Sequence, residues 1–336
     1  MTAPRNILLA YDGSSGAKMA LEDLKRNRAG LPIEAGVLVL CVAEVWGAAN
    51  PPDFGAYGLA EWPVTEAQLE ALQVAERVAL KQARRIAMEA SKALQADQPG
   101  WAIRAESCTG ASAWSIVKRA EDWRADLIVI GSHGRSALSR VILGSVSHAV
   151  IREAPCAVRV VRGRIGTREA PSRLLIGFDG SVDAEAAVAA VAERTWPSGS
   201  AARLLTAMDG RLSTAVPVTR RAGARGRDEA PWMRRMMDDP TGRLREAGLA
   251  VSSVVKMGDP RTLLVEEAKQ WGADGLFVGA RGLRGVKRFL LGSVSTAVAM
   301  RAPCPVEVVR PARVEASRQA ARPRTQAPES LVQANR

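Results

Sequence analysis

Two short stretches of this 336-residue chain carry residue types and spacing suited to holding an anion. The first is Gly131-Ser-His-Gly134, nine residues, then Gly144-Ser145-Val146-Ser147; the second is Gly279-Ala-Arg-Gly282, nine residues, then Gly292-Ser293-Val294-Ser295. Glycines at these points let backbone N–H groups approach a negative group closely. The serines add hydroxyls, and a helix starting at the last glycine turns the positive end of its dipole to the same place. The chemistry of such a loop is phosphate binding.

A single Gly-rich turn between a strand and a helix is common and would say little. Here Gly131 and Gly279, Gly144 and Gly292, Asp126 and Asp274, and Cys156 and Cys304 all stand 148 positions apart. Turn-making alone accounts for each glycine but not for the shared nine-residue gap. The chain is therefore a tandem repeat with one cradle per copy.

Elements must place these loops. Asp126-Leu-Ile-Val-Ile130 and Asp274-Gly-Leu-Phe-Val278 read as buried strands running into them, and a helix starting at Ser145 stops before Pro155. Arg5 to Tyr11 and Arg173 to Phe178 are apolar runs of the kind found in central parallel strands, followed by Asp12-Gly13-Ser14 and Asp179-Gly180-Ser181. A carboxylate at the C-terminal end of a central strand lies in the crevice where open α/β sheets bind ligands. The alternative is a helix N-cap; the duplicate context of Asp12 and Asp179 favours binding.

Between these landmarks the first half reads as helix 17–28, strand 37–42, a Gly-, Pro- and Trp-rich loop 45–64, helix 65–96 with Thr65 as its cap, strand 101–107, helix 112–123 and a closing strand 157–161. The second half reads as helix 182–194, strand 203–208, a basic loop 211–227, helix 228–247, strand 249–256, helix 261–271 and a closing strand 305–310. Pro240 is expected to break helix 228–247. Strands joined only by helical connections call for a parallel sheet wound on both faces. The expected fold is α/β, with two tandem five-stranded domains at 1–163 and 171–311 and a disordered tail at 312–336 that lacks apolar periodicity.

Composition bounds the rest. Two cores of about 150 residues suit this length, and no apolar run reaches the ~18 residues of a membrane span. With no signal-peptide pattern either, the expected compartment is the cytoplasm. Four cysteines without CxxC spacing and two histidines argue against zinc or redox chemistry. The net charge of +12 divides as +3 over residues 1–166 and +9 over 167–336, concentrated in loop 211–227 and the tail. Without an aromatic-interleaved basic patch, nucleic acid is not the expected partner.

The pattern Gly-x2-Gly-x9-Gly-Ser, followed by Ala-Pro-Cys and a short Val-rich strand, resembles the ATP-binding branch of the universal stress protein family, in tandem, over roughly residues 3 to 311. The resemblance implies an adenine nucleotide alpha hydrolase-like fold whose halves pair about a pseudo-two-fold axis through strands 157–161 and 305–310. It leaves open whether two chains form a homodimer. It implies ATP, with Mg, as the ligand. Adenine would lie near Asp12, Val42 and Ile130 or near Asp179, Ala207 and Val278. Phosphates would lie at Gly131, Gly134, Gly144, Ser145, Val146 and Ser147 or at Gly279, Gly282, Gly292, Ser293, Val294 and Ser295. Ala207 is smaller than the branched residue usual there.

Neither cradle has the lysine of a Gly-Lys-Ser/Thr loop or an obvious base for water. The sequence therefore points to a nucleotide-dependent regulator in a stress response, with hydrolysis slow if it occurs. The rival readings are a slow ATPase or nucleotidyl-transfer enzyme and a nucleotide-free structural module. His133 and Arg281 occupy matching places, and only Arg281 is charged at every physiological pH, so the two sites are expected to differ.

Overall fold

The computed structural model describes residues 5–26, 30–32, 34–44, 66–134, 143–163, 165, 170–208, 231–282 and 291–311. Loops 45–64 and 211–227, the Thr65 cap and the tail lie outside them, as does most of the linker between halves. The first half runs β1 (Asn6–Ala10), α1 (Ser15–Arg26), β2 (Gly36–Ala43), α2 (Glu66–Asp97), β3 (Ala102–Thr109), α3 (Ser112–Asp122), β4 (Leu127–Gly131), α4 (Ser145–Glu153) and β5 (Ala157–Val161). The second repeats it as β6 (Arg173–Gly177), α5 (Val182–Ala192), β7 (Ala201–Met208), α6 (Pro231–Glu246), β8 (Ala250–Met257), α7 (Pro260–Trp271), β9 (Gly275–Gly279), α8 (Ser293–Arg301) and β10 (Val306–Val309).

All strands lie in one ten-stranded sheet, ordered β3-β2-β1-β4-β5-β10-β9-β6-β7-β8. Pairing is parallel within each half and antiparallel only where β5 meets β10. At that seam Val158, Arg159 and Val160 face Val308, Glu307 and Val306. The register is symmetric about the Arg159–Glu307 pair, so a pseudo-two-fold axis passes there. The fold is thus α/β with tandem, doubly wound parallel halves.

Side-chain alternation divides the core. Leu8, Leu38, Ile128 and Val158 point to the face covered by α3 and α4, and join Leu175, Leu205, Leu276 and Val306 beneath α7 and α8 in one cluster spanning both halves. On the opposite face Ile7, Leu9, Val39 and Leu127 pack with Leu24 and Leu94 under α1 and α2, while Leu174, Ile176 and Leu204 pack with Val188 and Leu244 under α5 and α6. Full burial of one such side chain contributes roughly 1.5–3 kcal/mol. The strands flanking the cradles are therefore rigid.

One expectation fails. Helix α6 is continuous through Pro240. Met237, Pro240, Thr241 and Leu244 are all buried at the i, i+3, i+4, i+7 spacing of one helix face, so packing on both sides of the proline holds the segment helical against its local preference.

The cysteines, none in a disulfide among the described residues, are structural in setting. Cys304 is wholly buried in the shared core, and Cys156 opens β5's approach with its thiol pushed up to about 12, chiefly by burial. A raised thiol stabilises the fold below its ordinary value near 9.0, and that contribution is lost as pH climbs toward 12. We expect the melting temperature to fall between pH 9 and 11 less steeply in Cys156→Ala than in the unsubstituted chain; parallel pH profiles would refute the assignment.

Candidate functional site

The first cradle is closed by backbone bonds. Ser132 N–H donates to the Val161 carbonyl at 3.0 Å, and Gly144 N–H, after the nine-residue excursion, donates to the Ser132 carbonyl at 2.8 Å. The spacing thus returns the chain to its own strand end. A Cβ on Gly144 would sit 3.8 Å from the Gly134 nitrogen, so the two glycines are neighbours. Gly144 is the N-cap of α4, with extended backbone (φ −62, ψ 151) and no side-chain cap. Among the described residues no side chain caps α4, so its first-turn N–H groups suit an anion.

The two serines have different roles. Ser145 is exposed at the helix start. Ser147 is buried and its hydroxyl donates to the Gly131 carbonyl at 2.8 Å, tying helix to loop instead of facing a ligand. Gly131 itself permits the fold, since a Cβ there would come within 2.8 Å of the Ala17 nitrogen and closer to Gly16.

Asp12 is not the N-cap of α1. Its Oδ1 accepts the Ser14 N–H at 2.9 Å, and the Ser14 hydroxyl accepts the Ala17 N–H at 3.2 Å, so Ser14 does the capping. Gly13, at φ +79, makes the turn between them. The other carboxylate oxygen of Asp12 faces Gly134, 3.4 Å from where a Cβ there would be. Asp12 thus stands beside the loop.

A cavity of about 680 Å³ opens over these groups. It brings together Asp12, Val42, Ile130, Gly131, Gly134, Gly144, Ser145, Val146 and Ser147, all nine residues singled out in this half. His133, set apart beforehand by its match to Arg281, lines it too, as do Tyr11, Glu44, Gln82 and Ser112, which sequence reasoning missed. Tyr11 was legible as the last residue of its strand, whereas Gln82 reaches the cavity from α2 and no motif marks it. Burial first, then the Asp12 carboxylate, push the Tyr11 phenol up, so it stays a neutral hydroxyl.

The second cradle repeats the frame with different side chains. Ala280 N–H donates to Val309 O and Gly292 N–H to Ala280 O, both at 2.8 Å, and Gly292 is again an N-cap without a side-chain cap. Ser295 donates to the Gly279 carbonyl at 2.6 Å, while Ser293 is exposed and Val294 half-buried. Asp179 accepts the Ser181 N–H at 3.0 Å and lies against Gly282, 2.6 Å from where its Cβ would be. Ala207 and Val278 pack into the shared core beneath.

The Arg281 side chain is turned onto Asp183. Asp183 holds its guanidinium through Nε at 3.1 Å and Nη2 at 3.0 Å and also accepts its backbone N–H at 3.1 Å. The matching place four residues after the strand-end carboxylate is Gly16 in the first half, where a Cβ would overlap the His133 carbonyl. His133 instead has Nδ1 2.8 Å from the Ser132 hydroxyl. At this place the second cradle thus carries an Arg281–Asp183 ion pair and the first carries His133 against Gly16.

Among the described residues, no helix is long and apolar enough to cross a membrane. The family model for the universal stress protein family matches residues 4–162 and 171–310. A universal stress protein of Mycobacterium tuberculosis is 32% identical over 195 residues, covering 55% of this chain and 62% of its own length. The chain thus spans less than two thirds of that relative. A universal stress protein of Archaeoglobus fulgidus shares the fold over 92% of this chain and 97% of its own, with a TM-score of 0.59 and 21% identity. Another, solved in complex with cAMP, matches 42% of this chain at 24% identity and a TM-score of 0.31. Both segments of the chain, and so the chain itself, belong to the universal stress protein family.

Proposed function

We propose that this chain belongs to the ATP-binding branch of its family and acts in the cytoplasm as a nucleotide-dependent regulator in a stress response, with little or slow hydrolysis. The observation that carries the reading is the cavity floored by the uncapped start of α4 and walled by the ends of β1, β2 and β4. Its 680 Å³ lies within the range of small-molecule sites. Apolar Val42 and Ile130 suit a purine face, and Asp12 suits hydroxyl or amino donors.

Gly134 and Gly144 let phosphate oxygens meet backbone N–H groups. Mg²⁺ would neutralise phosphate charge, held mainly by phosphate oxygens and water; the exposed Ser145 hydroxyl is the protein oxygen at the helix start. Among the described residues no lysine enters the lining, which supports retention over rapid turnover.

The test is to denature protein purified without added ligand and count adenine nucleotides per chain. Close to two ATP per chain is the result expected if both cradles work, and one would assign occupancy to a single cradle. ADP or AMP alone would move the reading to a slow hydrolase. No nucleotide, with no binding on adding Mg-ATP, would overturn it.

A further inference from the structure

The residue after each fifth strand is an arginine, and each crosses the seam to the other half. Arg310 follows β10. Its Nη1 donates to the Cys156 carbonyl at 3.1 Å and its Nη2 to the carbonyls of Ile151 and Arg152, at the C-terminal end of α4. Arg162 follows β5, and its Nη1 donates to the carbonyls of Ala299, at 3.0 Å, and Met300, at the end of α8. The two stand 148 positions apart, so the exchange is reciprocal.

Both guanidiniums are largely withdrawn from water, as the weakly hydrated guanidinium tolerates better than an ammonium. Arg162 is 9% exposed, and burial lowers the proton affinity of both side chains. A cation at a helix C-terminus is where the dipole favours it, and charge-assisted bonds to carbonyls complete the last turn.

The contacts connect the cradles crosswise. Loop 279–282 is tied to β10 by Ala280 N–H to Val309 O, and the next residue, Arg310, holds the far end of α4. The near end of α4 is the start of the first cradle. In return, loop 131–134 is tied to β5 by Ser132 N–H to Val161 O, and the next residue, Arg162, holds α8, whose start belongs to the second cradle. Arg310 also lies within the field of Asp183 and Arg281, the ion pair beside the second loop. Each connecting helix is only nine residues long and is fastened to its loop by Ser147 or Ser295.

We propose that each cradle is completed in trans, with Arg310 positioning α4 for the first site and Arg162 positioning α8 for the second. This rests on the nucleotide reading above. Neither arginine touches the ligand; both are positioning residues, and through them the loop of one site bears on the helix of the other.

The experiment uses the full chain. Gly292→Asp or Gly144→Asp places a carboxylate at one helix start, opposing phosphate there and leaving the other site to be titrated with Mg-ATP. In the Gly292→Asp background, Arg310→Met is expected to weaken first-site binding about tenfold while Arg162→Met leaves it within about twofold. In the Gly144→Asp background the dependence reverses. Arg310→Lys, which keeps the cation, restores most of the affinity. Equal losses at both sites, or a lower melting temperature with unchanged affinities, would reduce the arginines to general stabilisers and overturn the proposal.

Amide hydrogen exchange of the unliganded chain gives a second reading. Arg310→Met should speed exchange in α4 more than in α8, and Arg162→Met the reverse. If exchange responds in this crossed way but even the unsubstituted chain binds no Mg-ATP, the nucleotide reading is what fails. If Mg-ATP binds and exchange in α4 and α8 is unmoved, the positioning is what fails.

Discussion

Replacing Glu307 with glutamine should remove about 3–5 kcal/mol of stability, because it strips the shared counter-charge from two buried arginines. Glu307 is 2% exposed and accepts both Nη groups of Arg194, while Arg159 Nη1 lies 3.7 Å away across the seam. Arg159 is also paired through Nε with the wholly buried Asp23 at 2.9 Å. The four side chains form an alternating chain, Asp23–Arg159–Glu307–Arg194, around the pseudo-two-fold axis. Urea denaturation of Glu307→Gln measures the loss, and a change below about 1 kcal/mol would mean that water or rearrangement relieves the charges. Replacing all four by apolar residues of similar volume is expected to recover most of the stability, since a buried network gains little over good packing once its desolvation is counted.

The second large effect separates glycines that look alike in the motif. Gly131→Val sets branched carbons against the backbone of Gly16 and Ala17, where no flexible side chain can give way. It should cost about 3 kcal/mol, push α1 away from β4 and abolish nucleotide retention. Gly144→Ala meets nothing nearer than 3.5 Å and has an ordinary backbone conformation, so it should stay within about 1 kcal/mol of the parent. Paired melts and Mg-ATP titrations of the two variants test this. Comparable destabilisation by both would show that neither glycine is distinguished by packing.

These cases show what could be read in advance and why. Strand and helix order followed from apolar runs and punctuation, because parallel strands buried on both faces leave an unmistakable pattern. The cradle was legible because its spacing is fixed by the bond from Gly144 to Ser132, a local constraint that leaves a trace at constant separation. Continuity of α6 was not, since packing of Met237 and Leu244 outweighs what Pro240 dictates locally. Nor could sequence show that Asp183 claims Arg281, or that Gln82 lines the first cavity, because those contacts join elements distant in the chain.

The antiparallel meeting of β5 and β10 turns the two halves end for end. Ligand crevices lie at the C-terminal ends of parallel strands, and here those ends point in opposite directions in the two halves. The two cradles, each at the C-terminal ends of its own half's strands, therefore lie on opposite rims of the sheet. Whatever settles at one rim thus leaves the other bare, with the length of the strands between them.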